Sequence, residues 1–132
     1  MPEFICPEEL SRNDYLELLK YNDSYIFIKF GAEWCVPCNK IKDLLKNECG
    51  NLPESVKCYD IDVDENFDVY AYMKSKRMVQ SIPSMLIYKK GNTEFPPDFM
   101  LSNSDKESVK AFFKNMTFKW LIIQTVHCIW IK

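Results

Sequence analysis

The chain reads as an α/β fold: a central mixed sheet of four to five strands with helices on both faces. Three observations predict it. Residues 25–30 (Tyr-Ile-Phe-Ile-Lys-Phe) form a near-continuous apolar run, as expected of a strand buried on both faces. Segments of strand character alternate with segments of helical period along the chain, which implies a sheet with crossover helices. Lys89-Lys90-Gly91-Asn92 reads as a hairpin turn behind a further apolar run, which adds an antiparallel edge. At 132 residues, the chain is one domain long.

In order, Phe4-Ile5 is a short first strand. Residues 8–20 carry Leu10, Tyr15, Leu16, Leu18 and Leu19 at loosely helical spacing, and Asn22-Asp23-Ser24 is a turn. The strand at 25–30 follows and ends at Gly31. From Cys38, the residues Ile41, Leu44, Leu45 and Cys49 keep three- and four-residue spacing, which predicts one helix to about Glu48 with Gly50 as its stop. Residues 56–63 form the next strand. A helix over 66–76 is expected to bury Phe67, Tyr70 and Ala71. Ser81-Ile82-Pro83-Ser84 leads into a strand at 85–88. A last short strand lies between 93 and 101, where Pro96-Pro97 argues for an edge. Ser104-Asp105-Lys106-Glu107 has the form of a capping box and opens a helix with Val109, Phe112, Phe113 and Met116 on one face. The domain is placed at residues 1–116, with an apolar C-terminal extension at 117–132.

Net charge is −2 with both signs spread along the chain, so no basic stripe points to nucleic acid or to an anionic membrane. The first residues have neither a basic nor an apolar leader region, and no secretory signal is read there. The six cysteines, at 6, 35, 38, 49, 58 and 128, are unevenly spaced, unlike a secreted disulfide framework. A reducing, cytoplasmic setting is expected, with most thiols free. Cys49 and Cys58 fall in apolar register and read as small core residues. The one histidine, His127, lies far from the paired cysteines in sequence.

Trp34-Cys35-Val36-Pro37-Cys38 joins the buried strand to the helix. Two cysteines three positions apart on a first helical turn put their sulfurs within bonding reach. The first of them lies where free backbone N–H groups and the helix dipole favour a thiolate, the reactive form of cysteine. Pro37 suits the first turn, where its missing N–H is no loss. The stretch reads as a redox dithiol. Zinc usually takes four N or S ligands, and the chain has one Cys-x-x-Cys and no second closely spaced pair. An iron–sulfur cluster shared between two subunits remains compatible with the sequence. No cofactor is required by the dithiol reading.

These residues carry a resemblance. Phe30 to Cys38, then Asp60-Ile61-Asp62-Val63-Asp64, then Ile82-Pro83-Ser84, then Lys90-Gly91-Asn92 resemble the thioredoxin family in order and interval, over about residues 3 to 116. The resemblance implies the thioredoxin fold and thiol–disulfide exchange. It makes Cys35 the attacking thiolate and Cys38 the resolving thiol. Pro83 becomes a cis-proline facing the sulfurs, Ile82 the residue whose backbone pairs with substrate, and Trp34 the cover of the site's shoulder. Partners implied are disulfide-bearing proteins as substrates and a thioredoxin reductase as electron donor.

Four departures qualify the resemblance. Lys29 is the only charge in the strand at 25–30, where thioredoxins usually have a buried aspartate. The family's neighbouring lysine is matched by Asp60, so the two charges are exchanged, making Lys29 and Asp60 a candidate proton-transfer pair at Cys38. Val36 replaces the usual glycine between the cysteines, which bears on redox poise. Residues 99–103 lack a glycine that the family places near substrate. The apolar extension, including Trp120-Leu121-Ile122-Ile123 and Ile129-Trp130-Ile131, is shorter than the ~20 residues of a spanning helix. Membrane contact is therefore not the leading expectation. Packing on the domain or on a second copy is, ahead of an unstructured or non-native extension, which leaves a monomer or a tail-mediated homodimer. The alternative function is a thioredoxin-like binding or assembly module whose dithiol is regulatory or idle.

Overall fold

The computed structural model of the protein describes residues 3–116. The order is β1 (Phe4–Ile5), α1 (Arg12–Lys20), β2 (Tyr25–Gly31), α2 (Val36–Lys40), α3 (Lys42–Gly50), β3 (Lys57–Asp62), α4 (Phe67–Ser75), β4 (Ser84–Lys89) and β5 (Phe99–Leu101). A helix at 106–116, α5, follows. The extension at 117–132, with His127 and Cys128, lies outside the described residues.

The five strands form one mixed sheet in the order β1-β3-β2-β4-β5. β1, β3 and β2 run parallel, and β4 and β5 add antiparallel pairings. Every residue of β2, the central strand, is buried. Its side chains alternate between faces. Ile26, Ile28 and Phe30 join a core with Tyr15, Leu19, Val69, Met73 and Tyr88. Tyr25 and Phe27 join a second core with Ile41, Leu45, Cys49, Cys58, Val109 and Phe113. Helices on both faces thus enclose the strand, which is why it reads as an uninterrupted apolar run.

Several local expectations are corrected. The helix expected from Cys38 to Glu48 is two helices, α2 and α3, broken at Ile41 (φ −107°, ψ 5°). Ile41 is fully buried and satisfies the apolar spacing of either helix, so periodicity could not reveal the break. Gly50 is the last residue of α3, and Asn51 caps it. On α4 the buried residues are Val69 and Met73, whereas Phe67 is exposed. Tyr70 is half-buried and packs against Phe30, as expected, and Ala71 is half-buried, so Phe67 and the two fully buried positions are what differ from expectation. At α5 the expected Ser104–Glu107 box is not the cap. Asp105 accepts hydrogen bonds from the Ser108 backbone (3.0 Å) and hydroxyl (2.8 Å). These bonds hold the Asp105 carboxyl below its ordinary pKa. A reciprocal box does occur at α1, between Ser11 and Asp14.

Candidate active site

β2 ends in Gly31, and the chain turns through Ala32-Glu33-Trp34 into α2, with Cys35 as its N-cap. The Cys38 N–H donates to Cys35 Sγ at 3.2 Å. An amide aimed at that sulfur is what favours a thiolate there once the pair is reduced. Pro37 occupies the first turn. Cys35 and Cys38 form a disulfide, with Cα atoms 5.2 Å apart, inside the usual span of such bonds.

The Ile82–Pro83 peptide is cis. Its turn faces the disulfide, and the Ile82 carbonyl oxygen lies 3.9 Å from Cys35 Sγ. Ser84 behind it donates its hydroxyl to the Ser81 carbonyl and shares a 2.8 Å hydrogen bond with the Ser102 hydroxyl. In the stretch that lacks the expected glycine, Ser102 therefore ties β5's end to the proline turn, while Met100 is exposed. Trp34 and Val36 also stand exposed around the cysteines. Trp34 is held by its indole N–H, which donates to Asp64 at 2.7 Å.

Lys29 and Asp60 are direct cross-strand neighbours in the β2–β3 ladder. Lys29 is buried, and its Nζ lies 3.6 Å from Asp60 Oδ1. Both border a cleft of about 410 Å³ that also touches Cys6, Ala32 and Trp34. A Cβ built on Gly31 would lie 3.3 Å from Cys38 Sγ and 3.0 Å from Lys29 Cε. The fold thus brings Lys29 and the Cys38 sulfur to the same small space beside Gly31. Gly31, read from sequence only as a strand end, is a site residue that periodicity missed. Its i+2 spacing from Lys29 was the available signal, since both share a strand face.

Cys49 and Cys58 are buried, and Cys6 is exposed. The Cys58 thiol beside Cys49, then burial, push the Cys49 thiol far above its ordinary pKa, which disfavours its thiolate. Among the described residues, no group of three or more His, Cys, Asp or Glu is arranged to hold a metal. None of the described helices is long and apolar enough to cross a membrane.

A dithiol on the first turn of a helix, facing a cis-proline loop at the end of an α/β sheet, defines a thiol–disulfide oxidoreductase site. The thioredoxin family model matches residues 7–115. The chain is 30% identical to Thioredoxin 3 of Plasmodium falciparum over 92 residues, covering 70% of this chain and 48% of that one. It is 32% identical to the thioredoxin of Rickettsia bellii over 75 residues, 57% of this chain and 67% of that one. The solved structure of Trichomonas vaginalis thioredoxin shares the fold, with a TM-score of 0.68 at 21% identity, over 86% of this chain and 96% of that one. The chain spans about half the length of the Plasmodium relative and two thirds of the Rickettsia one. It belongs to the thioredoxin family.

Proposed function

We propose that the protein reduces disulfide bonds in other proteins. Reduced Cys35 attacks a substrate disulfide as a thiolate and forms a mixed disulfide. Cys38 then attacks Cys35 Sγ, releases the substrate thiolate and closes the Cys35–Cys38 bond. Substrate backbone lies along Ile82 and Pro83, beside the Trp34 ring. Pro37 keeps the first helical turn in place. Lys29 and Asp60 form the charged pair that attends the proton of Cys38. A thioredoxin reductase returns the two electrons, and the reaction runs in the cytoplasm. Residues 1–116 are the catalytic domain, and 117–132 are an extension to it.

The observation that carries this reading is the meeting of the Cys38 amide, the Cys35 sulfur and the Ile82 carbonyl where β2 ends and β4 begins. Donor, nucleophile and backbone acceptor then meet where a substrate disulfide would lie. The test is reduction of insulin disulfides with dithiothreitol as electron source. Acceleration is expected with the native protein and none with Cys35→Ser. Equal rates for the two proteins would reject the reductase and leave the binding-module reading in its place.

A further inference from the structure

Lys29 is the one charged side chain in the buried central strand, with only 9% of its side chain exposed. Gly31, two positions on, shares its strand face. At the point a Gly31 Cβ would occupy, Lys29 Nζ is 3.6 Å away and Cys38 Sγ 3.3 Å away. The ammonium and the resolving sulfur therefore flank one small gap, which exists because residue 31 has no side chain. Asp60, the partner of Lys29, does not neutralise it closely. Their 3.6 Å separation is longer than a hydrogen bond, and the Asp60 side chain is 35% exposed to the water of the cleft. Among the other acids bordering that cleft, Glu33, Asp64 and Glu65 are exposed and screened by solvent, and half-buried Asp62 accepts from the Asp64 and Glu65 backbone N–H groups. Lys29 is thus the charged side chain that borders the gap shared with Cys38 Sγ.

We propose that Lys29, admitted by Gly31, is a positive seat for the Cys38 thiolate, which speeds resolution of the mixed disulfide and shifts the Cys35/Cys38 couple toward its reduced form. The inference deepens the reductase reading and rests on it for the identity of the resolving step. In that step the Cys38 thiol gives up its proton to solvent. Its sulfur attacks Cys35 Sγ, the Cys35–substrate S–S bond breaks, and the Cys35–Cys38 bond forms. The substrate sulfur leaves as a thiolate and takes up a proton. The dithiol gives up two electrons and the substrate gains them. Lys29 gains nothing from the uncharged disulfide but attracts a thiolate, so it lowers the energy of the attacking species and of the reduced state together. A stabilised reduced state makes a dithiol couple more oxidising. Lys29 is a positioning residue: it acts through the Cys38 sulfur and does not touch substrate.

The experiment equilibrates the full chain with glutathione and glutathione disulfide from pH 7 upward, traps the thiols by alkylation and reads the reduced fraction by mass. Lys29→Met is expected to shift the equilibrium toward the disulfide, reaching about tenfold at pH values where the native Cys38 is a thiolate, since a charge at this range moves a thiol pKa by a unit or more. Tenfold corresponds to about 30 mV for a two-electron couple. Lys29→Arg, which keeps the charge, is expected to stay within about twofold of native, taking charge as the governing factor. In stopped-flow reactions with a disulfide substrate, Lys29→Met should slow resolution and leave the first attack unchanged. An unshifted equilibrium in Lys29→Met would overturn the proposal. So would a shift as large in Lys29→Arg, because packing rather than charge would then be responsible. The equilibrium is a property of the protein's own dithiol, so it can be read even if insulin reduction fails.

Discussion

The Tyr15–Tyr88 pair on one face of the sheet and the Lys29–Asp60 pair on the other both place polar atoms in apolar surroundings, under different terms. Tyr15 and Tyr88 are fully buried. Their hydroxyls are 2.8 Å apart, and Tyr88 also donates to the Phe95 carbonyl. The Tyr15 ring stacks on Phe95 and meets Tyr88 edge-on. This group is closed: its hydroxyls find partners inside the protein, and water has no role. Lys29 and Asp60 are joined only loosely, and one end opens into a cleft. The closed pair contributes stability and specifies packing. In the reading proposed above, the open pair keeps a charge available beside a sulfur that changes its own charge during turnover.

The largest effect is expected where the gap beside Cys38 is filled. Gly31→Val would push atoms into the space held by Lys29 Cε and Cys38 Sγ. It should cost about 2 to 3 kcal/mol in denaturant unfolding, as overpacking does, and slow mixed-disulfide resolution as well. An unchanged midpoint and rate would show that the gap is not needed.

Next comes the closed pair. Tyr88→Phe removes a hydroxyl that serves both Tyr15 and the Phe95 carbonyl, and should cost about 2 kcal/mol through the buried groups left unpaired. The glutathione equilibrium of the dithiol should not move, and a shift there would mean that the two faces are coupled. The same pair sets an alkaline limit. Burial first, then Tyr88, raises the Tyr15 pKa well above its ordinary value, and burial raises Tyr88 too. The unfolded chain therefore loses these protons first. Their contribution is fully present below about pH 10, the unfolded phenol pKa. It then declines by about 1.4 kcal/mol per pH unit for each phenol, until the folded pKa is reached. Unfolding measured from pH 9 upward should show this slope, and it should be shallower in Tyr88→Phe.

The smallest effect has the opposite sign. Lys29→Met removes a buried charge whose partner is partly solvated, so it should raise stability by about 1 kcal/mol while impairing resolution. A loss of stability comparable to that of Tyr88→Phe would place the two pairs in the same structural class and remove the contrast between them.

Much of the fold was legible from local pattern. The run at 25–30 announced its burial, the strand and helix segments appeared in the right order, and Cys35, Pro37 and Cys38 stood out by residue type and spacing, with Ile82 and Pro83 added by the family resemblance. What could not be read were choices made by packing between distant segments. Ile41 suits the apolar face of either α2 or α3, and only the geometry of the core broke the helix there. Phe67 is apolar yet turned outward, because α4 docks through Val69 and Met73. Tyr15 and Tyr88 are 73 residues apart, and no local signal joins them.

The sequence by itself determined the alternation of strands and helices, the dithiol on a first helical turn, and the unusual lysine in a buried strand. These follow from periodicity, backbone constraints and residue chemistry, all of which act over a few positions. Only the tertiary structure decided what that lysine faces. The strand register brings it to Asp60, and the missing side chain of Gly31 lets it share a gap with the Cys38 sulfur, because distances between elements are set by how their side chains pack and not by their order along the chain.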